Sequence, residues 1–173
     1  MIKRCIMIFP HFESGHVIDE IREKYDPLAH HVRPHITLVF PFESNITSEI
    51  LKEHITNVLS EFNPFELVLS SITPSINFGR YLFLNVAKGS EEIIKIHRKL
   101  YSGILEEYYP RWLIGNEFMP HMTVGNFQDE EAFKRAINDT KHFSDSFKTI
   151  VNKVSVEIID ENEDSIIEND ISF

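Results

Sequence analysis

The chain has 173 residues, of which 42% are hydrophobic and 25% are charged, a composition typical of one globular domain with a sizeable core. Its formal net charge is −10, but seven acidic and no basic residues fall within residues 157–170, so the rest of the chain carries 20 acids against 17 bases. No stripe of Lys and Arg is present to neutralise many phosphates, which argues against tight binding of long nucleic acid. No apolar run approaches the ~20 residues of a membrane span.

Hydrophobic periodicity and capping residues predict alternating strands and helices along the chain. Ser14, Thr47, Ser90 and Asp129 are predicted to cap the four helices. In chain order, the predicted elements are a strand at 3–9, a helix at 14–25, an extended segment at 31–42, a helix at 47–62, strands at 65–69 and 81–86, a long helix from 90 to near 109, an extended segment at 120–124, a helix at 129–137, and a closing hairpin of strands at 154–159 and 165–167. The acidic stretch is expected on the solvated turn of that hairpin.

Two short phrases of the sequence follow the same plan. The first, PHITLVF, contains His35 and Thr37, and the second, PHMTV, contains His121 and Thr123, 86 residues further on. Proline favours extended backbone in the residue before it, and side chains alternate along a strand. Each histidine is therefore expected to share one face of its strand with the threonine two residues later, while the apolar neighbours point into the core.

The order of the elements predicts an α+β fold. Each half of the chain contains helices, strands and one of the two phrases, and no low-complexity linker divides it. We therefore expect two pseudo-repeated lobes whose sheets face one another.

Two imidazoles that meet between such lobes suit a general base and a general acid, because each titrates near neutral pH. Threonine hydroxyls beside them can donate hydrogen bonds to phosphoryl oxygens. The pattern indicates phosphodiester chemistry, in which His35 or His121 takes a proton from the nucleophile and the other gives one to the leaving oxygen. His54 belongs to another His-Ile-Thr triplet, but on its predicted helix it diverges from Thr56 by about 200°. His54 therefore serves as an internal control.

The pair of H-x-T phrases, one in each half of the chain, resembles the 2H phosphoesterase superfamily, and within it the bacterial 2′-5′ RNA ligase and cyclic phosphodiesterase group. The resemblance implies one domain over residues 1–173, with two pseudo-symmetric lobes, facing antiparallel sheets, outer helices and a central groove. It further implies catalysis by His35 and His121 without a metal or cofactor, and phosphate binding by Thr37 and Thr123. The implied reaction is hydrolysis of 2′,3′-cyclic phosphates of nucleotides or RNA ends.

One position departs from the family pattern. Ligase-type members commonly follow the second phrase with an arginine, as in H-[IV]-T-L-x-R, where this chain has Asn126. Arg80 matches a family position that often holds an arginine, so we expect it to bind the phosphate instead. The departure makes RNA ligation a less favoured activity than hydrolysis.

Two other functions remain open from the sequence. A catalytically idle module that binds nucleotides or RNA ends would keep the same groove, whereas a metallohydrolase would use the neighbouring His30-His31 as ligands. Three phenylalanines are candidates for stacking on a nucleobase: Phe9, Phe42 and Phe127.

The remaining expectations concern location and partners. Cys5 is the only cysteine, which excludes an internal disulfide and fits a reducing cytoplasm. The N-terminus has no small-residue cleavage site, so it is not read as a signal peptide. We expect a cytoplasmic monomer that binds a small nucleotide or a terminal RNA phosphate and no membrane. His97, at the edge of an apolar helix stripe, is expected to be structural.

Overall fold

Eight strands and four α-helices form the fold in the computed structural model, which describes residues 1–173. The strands are β1 (Ile2–Ile8), β2 (Ile36–Ser44), β3 (Phe65–Ser75), β4 (Arg80–Lys88), β5 (His121–Phe127), β6 (Ser146–Val151), β7 (Lys153–Ile159) and β8 (Ser165–Ser172). The helices are α1 (Gly15–Tyr25), α2 (Ser48–Leu59), α3 (Ser90–Leu100) and α4 (Glu130–Thr140), with short 3₁₀ helices at Gly103–Tyr108 and Arg111–Leu113.

The strands form two four-stranded antiparallel sheets, which confirms the predicted α+β fold. One sheet has the order β2-β1-β7-β8 and the other β5-β4-β3-β6. The strands that carry the two phrases, β2 and β5, therefore occupy corresponding edges. The closing hairpin β7–β8 joins the sheet of β1 and β2, so the two lobes do not coincide with the two halves of the chain.

Helices cover both sheets and share one core with them. Helices α1 and α4 pack on the sheet that contains β5, while α3 packs on β2 and α2 packs on β8 and α3. A continuous core of 31 buried residues includes Leu38 of β2, Ile55 of α2 and Leu84 of β4. None of the helices is both long and apolar enough to cross a membrane.

Two of the four predicted helix caps are confirmed. The side chain of Thr47 accepts a hydrogen bond from the backbone N–H of Ile50, and Asp129 caps α4 in the same way. Ser14 makes no capping hydrogen bond, and Ser90 is already the first helical residue of α3. Gly89 occupies the capping position of α3 with φ +94°, where a Cβ atom would lie 2.8 Å from the carbonyl oxygen of Glu66.

The structure differs from the predicted elements mainly at two places, and strands β3 and β8 also run beyond their predicted ends to Ser75 and Ser172. The long helix ends at Leu100, because Gly103 and Pro110 interrupt the segment and leave two 3₁₀ turns. Strand β6 was not predicted. Burial alternates along it, but the inward-facing position between Phe147 and Val151 holds the polar Thr149 and the outward-facing Ile150 is apolar, so the sequence does not show the alternation.

Candidate active site

The two phrases meet at one cleft between the sheets. Edge strands β2 and β5 lie side by side, and Thr37, His121 and Thr123 line a cleft of about 740 Å³. His35 is not among the residues that line this cleft, but it lies near His121, since a positive charge on His121 lowers the pKa of His35. The structure thus brings together both histidines and both threonines of the sequence prediction.

Each motif histidine is anchored through the same ring nitrogen. Nδ1 of His35 lies 2.8 Å from the carbonyl oxygen of Arg33, and Nδ1 of His121 lies 2.7 Å from that of Met119. A carbonyl oxygen only accepts, so each Nδ1 carries a hydrogen and donates it. Nε2 is then the nitrogen of each ring that can take or give a proton.

Both motif strands carry a bulge directly after the threonine. Strand pairing skips Leu38 in β2 and Val124 in β5, so each strand holds one residue more than its partner there. The bulge in β2 keeps Leu38 buried and lets Phe40 line the cleft. The two phrases therefore agree in backbone geometry as well as in sequence.

Loss of hydration lowers the pKa of both motif histidines. For His35 this loss is the largest cause, with the charges of Arg22 and His121 acting in the same direction, and the pKa falls from 6.5 to about 4. Burial also lowers the pKa of His121, against the opposing effect of its hydrogen bond to Met119. Both imidazoles are therefore neutral near pH 7, and a phosphate anion between them would favour their protonation.

Aromatic rings fix the orientation of the two imidazoles. The ring of Phe83 stacks on that of His121 at a centroid distance of 3.7 Å. The ring of Phe9 contacts His35 edge-on at 6.0 Å, and the guanidinium of Arg33 lies 4.5 Å above Phe9. Arg33 thus places a positive charge beside the first phrase.

The structure does not bring Arg80 to this cleft. Arg80 pairs with Phe127 across the β4–β5 ladder, whereas His121 pairs with Asn85, five residues or about 17 Å further along β4. Its guanidinium lies 3.6 Å from the Glu130 carboxylate and donates to the carbonyl oxygen of Gln128. The expectation that Arg80 binds the phosphate is therefore corrected: β4 is antiparallel to β5, so its first residue lies at the far end of the second phrase.

The cleft is not lined by His30, His31 or His54. His54 is on α2, where its Nε2 meets the carbonyl oxygen of Leu100 at 2.9 Å. His30 contacts Glu23 and His31 contacts Asp164, so the two neighbours have separate partners. In residues 1–173 no group of three or more His, Cys, Asp and Glu side chains is arranged to hold a metal ion.

Sequence reasoning missed most of the aromatic side chains at the site. Phe42 is buried against Tyr108, and Phe127 packs on Tyr25 and Phe133, so only Phe9 of the three proposed stacking residues lies near a motif histidine. Six other aromatic residues line the cleft: Phe40, Phe78, Tyr81, Phe83, Trp112 and Phe118. Alternation could have found Tyr81 and Phe83, which lie on the face of β4 opposite the buried Leu82.

Known proteins resemble this chain in sequence and in fold. A Bacillus licheniformis protein named "Putative phosphoesterase" is 25% identical over 154 residues, which covers 88% of this chain and 87% of that protein. Crystal structures of Escherichia coli LigT with ATP and of TT0787 from Thermus thermophilus superpose with TM-scores of 0.61 and 0.63 at 13% and 15% identity. The first covers 99% of this chain and 98% of LigT, and the second covers 98% and 97%.

A profile of the 2′-5′ RNA ligase superfamily matches residues 10–163, which include both phrases and both motif strands. The match, the LigT-like fold and the paired His-x-Thr geometry agree with the resemblance seen in the sequence. The chain therefore belongs to the 2′-5′ RNA ligase superfamily, a group of 2H phosphoesterases.

Proposed function

We propose that this protein hydrolyses 2′,3′-cyclic phosphates of nucleotides or RNA ends, with His35 and His121 as a general base and acid pair. The observation that carries the proposal is the matched geometry of the two phrases. Each histidine donates through Nδ1 to the carbonyl oxygen two residues earlier and keeps Nε2 for proton transfer. A small nucleotide is a fitting ligand for this fold, since LigT has been crystallised with ATP and with 3′-AMP.

The proposed reaction is an addition of water to the cyclic phosphate. The water oxygen attacks phosphorus while Nε2 of one motif histidine accepts a water proton. The bond from phosphorus to one ribose oxygen breaks, and the protonated Nε2 of the other histidine donates its proton to that oxygen. Thr37 and Thr123 donate hydrogen bonds to the non-bridging oxygens, where charge develops. The Arg33 guanidinium is our candidate for the cation that Arg80 does not supply.

The decisive experiment is a turnover assay on a panel of 2′,3′-cyclic nucleotides and cyclic-phosphate RNA ends. His35→Ala and His121→Ala should each lose about 10²-fold or more in kcat, as expected for acid–base groups. His54→Ala is the matched control and should keep activity, because His54 is held on α2 away from the cleft. Thr37→Val and Thr123→Val should lose less than either histidine variant. Full activity in either motif-histidine variant would overturn the mechanism.

The same assay separates the alternatives. An idle module would bind nucleotides without turnover by the wild-type protein, and a ligase would join a cyclic-phosphate end to a 5′-hydroxyl end. Activity that EDTA abolishes and added metal restores would favour a metallohydrolase, whereas our proposal requires an unchanged rate in EDTA.

A further inference from the structure

A buried ion pair lies at the end of helix α1, near the first phrase. Nε of Arg22 donates to Oδ2 of Asp26 at 2.8 Å, and the two side chains are only 2% and 5% exposed. Neither residue lines the cleft. Moving two charges out of water is costly, and a buried pair often adds little net stability. The pair is better explained by the backbone that it holds.

The Arg22 guanidinium holds the chain segment that leads into the first phrase. Residues 26–35 connect α1 to β2 and contain no helix or strand. Nη1 of the guanidinium donates to the carbonyl oxygen of Val32 at 2.8 Å, and Nη2 donates to that of Leu28 at 3.3 Å. Oδ1 of Asp26 accepts the backbone N–H of Leu28 at 3.0 Å. One buried pair therefore satisfies backbone groups along an irregular connection.

The carbonyl that Arg22 holds lies one peptide unit before the carbonyl that anchors His35. The carbonyl oxygen of Val32 accepts from Arg22, and that of Arg33, the next residue, accepts from Nδ1 of His35 at 2.8 Å. Only the backbone torsions of Arg33 separate these two carbonyl groups. Pro34, which follows, has a fixed φ. A shift of Val32 would therefore move the hydrogen-bond acceptor of His35.

A second anchor holds the same segment from the side of the sheet. The backbone N–H of Ser165, at the start of β8, donates to the carbonyl oxygen of His31 at 2.9 Å. Val32 is buried in a small cluster with Met7 of β1. The segment is thus fixed between the sheet that carries the first phrase and helix α1, and Arg22 is its contact on the helix side.

The second phrase is held differently, which provides an internal comparison. His121 makes the same Nδ1 hydrogen bond, to the carbonyl oxygen of Met119. Met119 is 59% exposed, and the ring of His121 stacks on Phe83 at 3.7 Å. Loss of the ion pair should therefore disturb His35 and leave His121 unchanged.

The pair presents one charge of each sign to His35, so its electrostatic effects oppose each other. Loss of hydration is the main cause of the low pKa of His35; in addition, Arg22 lowers that pKa and Asp26 raises it. An arginine alone at this place would hold the same carbonyl oxygens but would lower the pKa of His35 further. The carboxylate thus lets the guanidinium hold the backbone with a smaller effect on the imidazole.

We propose that Arg22 and Asp26 form a positioning pair for His35. They fix the connection between α1 and β2, so that the carbonyl oxygen of Arg33 holds Nδ1 of the imidazole and leaves Nε2 for proton transfer. Neither residue lines the cleft, so both act through the backbone. The proposal rests on the proposed function, because His35 transfers a proton only in that mechanism.

Turnover of 2′,3′-cyclic AMP tests the pair through kcat. The double variant Arg22→Met/Asp26→Asn keeps an acceptor for the N–H of Leu28 and leaves no buried charge without a partner. Its kcat should fall on the order of 10²-fold, the cost of misplacing a reacting group by about 1 Å, while KM should change little. Arg22→Lys keeps a charged donor, so its kcat should lie between those of the wild type and the double variant.

Glu168→Gln is the matched control. It breaks another buried ion pair, with Arg4, which lies toward the other end of β1. Glu168→Gln should therefore lose stability but keep kcat, and urea unfolding shows that each variant is folded under the assay conditions. An unchanged kcat in the double variant would overturn the proposal. An equal loss of kcat in Glu168→Gln would also overturn it, because kcat would then follow stability and not position.

Nitrogen-15 NMR of the histidine rings in the ligand-free protein tests the positioning without turnover. In the wild type at pH 7, His35 and His121 should each show a single tautomer with the hydrogen on Nδ1. In the double variant, His35 should show a mixture of tautomers and His121 should be unchanged. A single Nδ1–H tautomer for His35 in that variant would overturn the proposal, because a merely structural pair would leave it so.

The two proposals fail in different ways. A mixture of His35 tautomers in the double variant, together with no turnover of any cyclic phosphate by the wild type, would reject the hydrolase and keep the positioning pair. Turnover by the wild type, with kcat and the His35 tautomer unchanged in the double variant, would reject the positioning pair and keep the hydrolase.

Discussion

Each motif histidine is held at one nitrogen and free at the other, which makes its protonation state the main variable of the site. The Nδ1 hydrogen bonds to the carbonyl oxygens of Arg33 and Met119 select one neutral tautomer for both rings. Burial lowers both pKa values, to about 4 for His35. The two effects together give neutral imidazoles with Nε2 available near pH 7.

These pKa shifts predict the pH dependence of hydrolysis. The reaction needs one protonated and one neutral histidine, so the dependence of kcat/KM on pH should be bell-shaped. Both pKa values lie below 6.5 in the free protein, so the maximum should be acidic and kcat/KM should fall as pH rises above about 6.5. A bound phosphate anion raises both pKa values, so the kcat profile should lie at higher pH. Rates measured from acidic to alkaline buffers check this, and an alkaline optimum of kcat/KM would contradict it.

Among the elements, α3 has a particular role because it supports the edge strand β2. Leu38 is the residue that the strand pairing skips, and the fully buried His97 donates to its carbonyl oxygen through Nδ1 at 2.7 Å. The hydroxyl of Tyr101 accepts a hydrogen bond from the backbone N–H of Phe40. Helix α3 thus satisfies backbone groups of the strand that carries the first phrase. The prediction that His97 is structural agrees with this position.

His97 should make the stability of the protein depend on pH. Burial lowers its pKa from 6.5, and its Nε2 has no hydrogen-bond partner. As pH falls below 6.5, the unfolded chain takes up a proton at this residue before the folded protein does, so stability present at neutral pH is lost.

The His97→Asn variant tests this dependence. It keeps a donor for the carbonyl of Leu38 but does not titrate, so its free energy of unfolding should fall less steeply between pH 7 and pH 5 than that of the wild type. Loss of the ring that stacks on Phe118 should make the variant less stable at pH 7. Urea unfolding at several pH values checks both effects, and parallel pH curves would show that His97 is not the group involved.

On the scale of the whole molecule, an ion pair joins the last strand of the fold to the first. Arg4 of β1 is buried and makes a bidentate contact with Glu168 of β8 at 2.7 and 2.8 Å, while also donating to the carbonyl oxygen of Ile46. Glu157 is buried in β7. The expectation that the acidic stretch is a solvated turn therefore holds only for its middle, residues 160–164.

Removing one partner of this pair should be costly. Glu168→Gln leaves the buried Arg4 guanidinium without a counter-charge, and the free energy of unfolding should fall by about 3 kcal/mol, the lower end of the usual range. Glu61→Gln is the control, because Glu61 pairs with Lys99 on the surface and should contribute less than about 1 kcal/mol. The urea concentration at the unfolding midpoint measures both effects, provided that the free energy of unfolding keeps the same dependence on urea concentration. Equal effects of the two substitutions would show that burial of Arg4 does not matter.

The surface charge also predicts the binding of long RNA. The chain has no stripe of basic residues, and basic side chains such as Lys88 and Arg80 already pair with Glu66 and Glu130, which leaves few cations for a polymer. Affinity for a long single strand should be weak and should fall further with salt. Fluorescence polarisation with a labelled oligonucleotide checks this, and submicromolar binding at physiological salt would contradict it.

The amino-acid sequence by itself determined the features that depend on local chemistry. Alternation along a strand put His35 with Thr37 and His121 with Thr123, and short-range capping identified Thr47 and Asp129. The repetition of the two phrases was enough to find the family. Within each phrase and each cap, the residues involved lie a few positions apart, so backbone geometry alone relates them.

Only the tertiary structure decided which side chains surround the histidines. Arg80 was misplaced because strand register, which no local pattern encodes, puts it at the far end of β5. Phe78 and Trp112 lie in connections without periodicity, and they approach the cleft because the β3–β4 connection and a 3₁₀ turn pack against each other there. In the sequence, Phe42 and Phe127 are equally suitable candidates for stacking on a nucleobase. In the structure, both pack away from the cleft. Long-range packing brings such residues together, so their roles follow from the fold and not from their neighbours in the chain.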